Sequence, residues 1–207
     1  MIILGLTGSI GMGKSTAGRQ LRTLGVPVYD ADAAVHRLLA KGGAAVARIE
    51  QAFPQVVHQG VVDRRRLGAA VFGDDAALTR LEAILHPLVR RQERAFLQRA
   101  RRRRIAIVAL DIPLLFEAKA ERRVDATVVV TCPAFLQKQR VLARPGMTAG
   151  KLAAILQRQM DDPEKRRRAD FVIPTGIGRR WALRKLCRVV KQMRDQGTSR
   201  HMSGSFQ

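Results

Sequence analysis

Residues 8–16 read GSIGMGKST, directly after an apolar run at residues 2–6 and directly before a segment with helical spacing. Glycines at this spacing let the backbone curl so that several N–H groups point inward. The helix that follows directs the positive end of its dipole to the same place. This order of strand, glycine-rich loop and helix predicts a loop that binds phosphate groups.

Two side chains in this stretch point to nucleotide chemistry. Lys14 supplies a point charge for β- and γ-phosphates, and the Ser15 hydroxyl is a suitable ligand for Mg²⁺. The alternative is a glycine-rich turn that binds nothing, which leaves the strand before the loop and the helix after it unexplained. We therefore expect the loop to bind a nucleoside triphosphate.

Composition indicates a globular protein. The chain has 207 residues, 46% of them hydrophobic, which is enough for one α/β domain with a small insertion. No apolar run approaches the ~18 residues of a membrane helix, and the first strand begins too early to leave room for a signal peptide. Cys132 and Cys187 lack the neighbours that a zinc site or a disulfide framework requires. We therefore expect a cytoplasmic protein without a membrane partner.

The chain is strongly basic, with a net charge of +21. One explanation is a nucleic-acid-binding protein, and the other is a basic surface with some arginines committed to an anionic small molecule. Basic residues are spread over the whole chain, and aromatic residues, on which bases could stack, make up only 4%. We favour the second explanation and predict no specific nucleic-acid partner.

Apolar runs alternate with helical patterns along most of the chain. Strands are predicted at residues 2–7, 26–30, 105–110, 126–131 and 170–173. Helices are predicted at 14–24, 33–41, 134–143, 149–160 and 179–194, with Thr148 as the cap of the fourth. This order predicts an α/β fold in which a parallel sheet is flanked by helices on both faces.

The middle of the chain interrupts this alternation. Residues 44–104 are mainly helical and have no strand pattern of their own, and Pro87 marks a boundary or kink in them. We predict a single unit over residues 1–196, in which a nucleotide-binding core at about 1–43 and 105–196 carries a helical insertion at about 44–104. The polar tail at 197–207 is expected to be disordered.

The ends of the predicted parallel strands carry the candidate catalytic residues, because ligands of open α/β sheets bind there. Asp111 ends a buried strand, where a carboxylate either organises Mg²⁺ or caps a turn. Asp32 follows the second strand, where it either accepts the proton of an acceptor hydroxyl or caps the next helix. Arg140 and Arg144 either neutralise charge on a transferring phosphoryl group or are solvated surface residues.

Further short motifs accompany the loop in a fixed order. They are GLTGSIGMGKST at 5–16, DAD at 30–32, LHP at 85–87, DIPLLFE at 111–117, QKQR at 137–140, Gln159, and RADFVI at 168–173. With these motifs the chain resembles the dephospho-coenzyme A kinase family as far as about residue 195. A great many NTPases share the loop alone, whereas the set that includes DAD, LHP and PLLFE is far more specific.

The resemblance implies a definite reaction and fold. The γ-phosphoryl group of ATP would be transferred to the ribose 3′-hydroxyl of dephospho-CoA, giving CoA and ADP in the last step of coenzyme A biosynthesis. ATP and Mg²⁺ would be required. The fold would be that of a P-loop NTPase with a helical substrate-binding insertion and a lid over residues 144–162 that closes on ATP and excludes water.

The resemblance also implies roles for individual residues. The catalytic residues would be Asp32, as the base, with Lys14 and Arg140 stabilising the phosphates. The ATP-binding residues would be Gly8, Gly11, Met12, Gly13, Lys14, Ser15, Thr16 and Arg144. The residues binding dephospho-CoA would be Asp32, His86, Pro113, Leu114 and Glu117. The Mg²⁺ ligands would be Ser15 and Asp111.

Two positions depart from the family pattern. RPG at 144–146 stands where the family commonly has RDG, and Pro145 stiffens this turn without removing Arg144. PTG at 174–176 follows the last strand, where the family commonly has D-N-S/T-G near the adenine of ATP. Without the Asn, backbone groups would have to supply that contact to the adenine.

Three rival functions share part of this pattern. A regulatory GTPase would also carry an N-K-x-D motif and a D-x-x-G switch, and the chain has neither at the expected strand ends. Another small-molecule or nucleoside monophosphate kinase would keep the loop and the lid arginines but not DAD and PLLFE. A nucleic-acid-binding P-loop NTPase would account for the charge.

Overall fold

Residues 1–202 are described by the computed structural model, and their side chains as far as residue 196. The chain forms two compact units. One unit joins Met1–Tyr29 to the chain from Ala100 onward, and the other comprises Asp30–Arg99. The second unit therefore begins at Asp30, whereas the predicted insertion begins near residue 44.

Outside residues 44–104 the strands and helices follow the predicted order, with one additional helix at Asp162–Arg168. In the described residues the strands are β1 (Ile2–Thr7), β2 (Val28–Asp30), β3 (Val57–His58), β4 (Val61–Val62), β5 (Ile107–Asp111), β6 (Ala126–Thr131) and β7 (Phe171–Pro174). The helices are α1 (Lys14–Thr23), α2 (Ala31–Leu39), α3 (Val46–Ala52), α4 (Arg64–Val71), α5 (Asp75–Arg102), α6 (Ala134–Leu142), α7 (Ala149–Gln157), α8 (Asp162–Arg168) and α9 (Arg179–Met202).

The first unit is built on a five-stranded sheet with the spatial order β2-β5-β1-β6-β7. The central strand β1 pairs in parallel with β5 and β6, and β6 pairs in parallel with β7. Every residue of β5 and β6 is buried, as expected for apolar strands covered on both faces. The predicted parallel sheet flanked by helices is confirmed.

The core of the first unit packs the sheet against the helices that flank it. Leu6 and Val128 are fully buried in the sheet, and they belong to one apolar cluster with Leu21 of α1 and Leu186 of α9. Because α1 is packed through Leu21, the loop before it is fixed at both ends, by β1 and by this helix.

The second unit is helical with one small hairpin. Its apolar cluster includes Leu38, Ile49, Phe53 and Leu81. The strands β3 and β4 pair antiparallel within it, so the prediction of no strand in residues 44–104 is wrong. Each strand has two residues, which is too short for an alternating pattern to be visible in the sequence.

Two further predicted boundaries are corrected. Pro87 lies inside α5, so the predicted boundary at this residue is wrong, while the alternative of a kink stays a prediction. Pro87 and Ala83 are exposed, and water can therefore bond the carbonyl group that proline leaves without a donor. The helix α9 extends to Met202, so residues 197–202 of the predicted tail are helical, and residues 203–207 lie outside the described part of the chain. No helix in the described part of the chain combines the length and the apolar character needed to cross a membrane.

Candidate active site

The glycine-rich loop connects β1 to α1 at the carboxyl end of the central strand. Gly11 and Gly13 have φ angles of 77° and 93°, a region that favours glycine. A Cβ atom on Gly11 would lie 2.6 Å from Val141 Cγ2, so α6 packs against the loop too closely for a side chain. Gly13 is the N-cap of α1, and the unpaired N–H groups of the first helical turn therefore follow it directly.

Lys14, the first residue of α1, forms an ion pair with Asp111 at the end of β5. The distance from Lys14 Nζ to Asp111 Oδ1 is 2.6 Å, and the two side chains are 16% and 5% exposed. Asp111 is opposite Leu6 in the sheet register, which brings its carboxylate to the start of the loop. The predicted position of Asp111 at a strand end beside the loop is confirmed, and the structure adds its pairing with Lys14.

Two glutamine side chains hold the backbone of Ile10 in the loop. Gln137 Nε2 donates to the Ile10 carbonyl at 2.8 Å, and the Ile10 N–H donates to Gln159 Oε1 at 3.1 Å. Gln137 is on α6 and Gln159 follows α7, so two separate segments hold the two peptide groups on either side of Ile10. The sequence motifs contain both glutamines, but their role at the loop was not predicted.

Arg140 lies beside the loop and contacts the segment after β7. Its Nη1 donates to the Gly11 carbonyl at 3.4 Å and to Thr175 Oγ1 at 3.2 Å, and its Nη2 donates to the Thr175 carbonyl at 3.0 Å. The guanidinium group is half-buried, which excludes the alternative of a fully solvated helix arginine. Thr175 was not predicted as a site residue, although its place after the last parallel strand puts it at the same edge of the sheet.

Cys132 lies beneath the loop at the end of β6. It is 7% exposed, and its Sγ lies 3.5 Å from Met12 Sδ. Burial raises the pKa of the Cys132 thiol, and the nearby positive charge of Arg140 opposes this only in part. The thiol is therefore a neutral packing group under the loop.

Glu117 is held by contacts with the chain near α8. Its Oε1 lies 2.9 Å from the Nζ of Lys165, which is fully buried, and it accepts a hydrogen bond from the Met160 N–H at 2.8 Å. These contacts join the PLLFE segment to the chain between α7 and α8. No feature of the sequence predicted that Lys165 is buried, because a lysine is expected at the surface.

The remaining predicted residues of the first unit lie around the loop or at the surface. The Thr7 hydroxyl donates to the Pro113 carbonyl at 3.0 Å, and Leu114 next to it is 43% exposed. Ser15 is exposed in the first turn of α1. Arg144 is exposed in the turn before α7, which Thr148 caps through a hydrogen bond from the Lys151 N–H, as predicted.

Two predicted residues belong to the second unit. Asp32 is exposed in the first turn of α2, and His86 is exposed on α5. The cap of α2 is Asp30, whose Oδ1 accepts from the Ala33 N–H at 2.8 Å. The alternative reading of Asp32 as the helix cap is therefore wrong, and its carboxylate is available for another role.

The fold and the site together define a P-loop kinase. A family model described as dephospho-CoA kinase matches residues 2–177, and the chain belongs to this family. Dephospho-CoA kinase of Mesorhizobium japonicum is 57% identical over 196 residues, covering 95% of this chain and 98% of the relative. Dephospho-CoA kinase of Paramagnetospirillum magneticum is 62% identical over 166 residues, covering 80% of this chain and 78% of the relative.

Solved structures of other proteins have the same fold as this chain. A crystal structure of a Thermus thermophilus protein superposes with a TM-score of 0.81 at 38% identity, covering 92% of this chain and 96% of that one. Dephospho-CoA kinase from Campylobacter jejuni superposes with a TM-score of 0.64 at 24% identity over the same shares of the two chains. The latter likeness concerns the fold alone.

Proposed function

We propose that the chain transfers the γ-phosphoryl group of ATP to the ribose 3′-hydroxyl of dephospho-CoA, which yields CoA and ADP. The observation that carries this proposal is the family match over residues 2–177. The loop with Lys14 and the adjacent Arg140 supports it, since phosphoryl transfer depends on positioned positive charge and inward N–H groups. The reaction is the final step of coenzyme A biosynthesis, and its cytoplasmic location stays a prediction from the sequence.

Lys14 and Arg140 are proposed to stabilise the phosphates on the donor side. The contact with Asp111 holds the Lys14 ammonium group, and the contacts with Thr175 hold the Arg140 guanidinium group. Charges that are already in position need little reorganisation when negative charge develops on the transferring group. Arg144 is proposed as a further ATP ligand, with residues 144–162 closing over the nucleotide as a lid.

Mg²⁺ is proposed to bind at Ser15 and Asp111. Among the described residues, no group of three or more His, Cys, Asp or Glu side chains could hold a metal ion. Two protein ligands fit Mg²⁺, which usually keeps several waters and binds through one or two protein groups together with substrate phosphates. Held by these two residues, the ion would supply positive charge that neutralises the phosphates.

Asp32 is proposed as the base that accepts the proton of the 3′-hydroxyl. Its carboxylate is exposed, and Asp30 already satisfies the cap of α2. A carboxylate next to an acceptor hydroxyl orients it and takes its proton as the new P–O bond forms. The substitution that tests this role is described in the Discussion.

His86, Pro113 and Leu114, together with Asp32, are proposed to bind dephospho-CoA. A groove of about 700 Å³ runs along α5 and is lined in part by His86, Arg90, Arg91 and Arg94. Three guanidinium groups along one groove suit a ligand that contains a diphosphate, as dephospho-CoA does. Glu117 is proposed as a further ligand of dephospho-CoA, with its Oε1 held by the Met160 N–H and the Lys165 ammonium group.

The proposed reaction is tested by measuring ADP release with four acceptors: dephospho-CoA, AMP, adenosine and shikimate. We expect turnover with dephospho-CoA alone, because only this acceptor combines the 3′-hydroxyl with the diphosphate and pantetheine groups that the second unit would bind. Mass spectrometry of the product should show CoA.

A Lys14→Met variant purified in the same way is the control for contaminating kinases. Equal ADP release from both preparations would assign the signal to a contaminant. A higher kcat/KM with AMP than with dephospho-CoA would overturn the proposal in favour of a nucleoside monophosphate kinase.

A further inference from the structure

Thr175 contacts the glycine-rich loop, although the sequence predicted no role for it. It follows β7 in the PTG segment, where the sequence departs from its family, and it is half-buried. Its hydroxyl donates to the Met12 carbonyl at 2.7 Å, and the Thr131 carbonyl lies within reach at 3.2 Å. The Thr175 N–H donates to the same Thr131 carbonyl at 2.7 Å, which fixes the backbone of the segment against β6.

The same residue holds Arg140 at two atoms. The hydroxyl oxygen accepts from Arg140 Nη1 at 3.2 Å, and the carbonyl oxygen accepts from Arg140 Nη2 at 3.0 Å. A hydroxyl group can donate once and accept at the same time. Thr175 can therefore donate to Met12 while it accepts from Arg140, and this links the loop to the arginine through one oxygen atom.

The bond to Met12 also determines the direction of a neighbouring N–H group. The chain has no cis peptide bonds among the described residues, and in a trans peptide the C=O and the following N–H point in opposite directions. With the Met12 carbonyl turned toward Thr175, the Gly13 N–H points away from Thr175. A Cβ atom on Gly13 would lie 3.0 Å from Thr175 Oγ1, so this close approach favours glycine, as the φ angle of 93° does.

We propose that Thr175 is a positioning residue for phosphoryl transfer, which sets the Met12–Gly13 peptide and the Arg140 guanidinium group relative to each other. The inference rests on the proposed function for the identity of the reaction. Thr175 itself touches no reacting atom, and it acts through the loop and through Arg140.

The test compares Thr175→Val, which removes the hydroxyl, with Thr175→Ser, which keeps it. We expect Thr175→Val to lower kcat by about 10-fold and to weaken ADP binding by about 3- to 10-fold, because the Met12 carbonyl loses its donor and Arg140 loses one acceptor. Thr175→Ser should stay within about 3-fold of the unsubstituted protein in both measurements. The KM for dephospho-CoA should not change, because Thr175 contacts only the donor side.

Thr23→Val is the matched control. It also removes a threonine hydroxyl that bonds a backbone carbonyl, that of Arg19 at 3.2 Å, but on the exposed side of α1. Its kcat and its affinity for ADP should equal those of the unsubstituted protein. If Thr175→Val does not fold, as judged by circular dichroism, Thr175→Ala against Thr175→Ser gives the same comparison.

A second arm examines the connection to Arg140. In an Arg140→Lys background, Thr175→Val should reduce kcat by less than about 3-fold, because one of the two groups that it links is already altered. Normal ADP affinity and normal kcat in Thr175→Val, or a Thr175→Ser variant as impaired as the Val variant, would overturn the inference. ADP binding requires no acceptor substrate, so the ADP affinities of the Thr175 variants test the inference even if dephospho-CoA proves not to be the substrate.

Discussion

Replacing Lys14 with Met is expected to lower kcat for CoA formation by about 10³-fold or more. The substitution keeps the length of the side chain but removes the only charge that the sequence motif directs at the β- and γ-phosphates. In the structure the Lys14 Nζ lies 2.6 Å from Asp111 Oδ1, beside the loop. Steady-state kinetics with saturating dephospho-CoA measures the effect.

A loss of stability must be separated from this loss of catalysis, because Asp111 is only 5% exposed and the variant removes its ion pair with Lys14. The double variant Lys14→Met, Asp111→Asn removes both charges and should recover thermal stability without recovering activity. Lys138→Met, which removes an exposed charge from α6, is the control for net charge and should keep full activity. A kcat for Lys14→Met within about 10-fold of the unsubstituted protein would contradict the role given to Lys14.

The second large effect is expected for Asp32→Asn. The amide cannot accept the proton of the 3′-hydroxyl, so kcat should fall by about 10²-fold or more while the affinity for ATP changes little. Single-turnover measurements with the preformed complex should show that the decrease lies in the chemical step. A near-normal kcat would remove Asp32 from the catalytic residues.

Asp30→Ala serves as the contrasting variant for Asp32. Asp30 caps α2 through the Ala33 N–H, and the loss of such a cap costs about 1 kcal/mol of unfolding free energy. We therefore expect Asp30→Ala to lower the thermal stability, and Asp32→Asn to leave it unchanged. Two aspartates that are two residues apart in one motif would then be distinguished by what each substitution changes.

The sheet and the loop could be predicted because their signals are local. Buried parallel strands read as continuous apolar runs, and the order of strand, loop and helix at residues 2–24 follows directly from glycine and lysine spacing. The cap at Thr148 and the strand end at Asp111 are local for the same reason. Each depends on residues within a few positions of one another along the chain.

The contacts that complete the site could not be predicted in this way. Thr175 reaches Met12 across 163 positions, and Gln159 reaches Ile10 across 149. Such pairs depend on how the strands are ordered in space, and a single sequence contains no direct signal for that order. The buried Lys165 was missed for a related reason. Lysines are expected at the surface, but the pairing of Lys165 with the distant Glu117 carboxylate allows it to be buried.

The buried thiol beneath the loop has a practical consequence. The sequence contains two cysteines, of which Cys187 is exposed and Cys132 is covered by Met12 and the loop. The thiolate is the nucleophile that attacks thiol reagents, so Cys187 can react in the native protein, whereas Cys132 reacts only after the loop has locally separated from β6. The rate at which Cys132 reacts therefore measures how often the loop opens. Cys187 is the reference thiol in the same molecule, and no label has to be added.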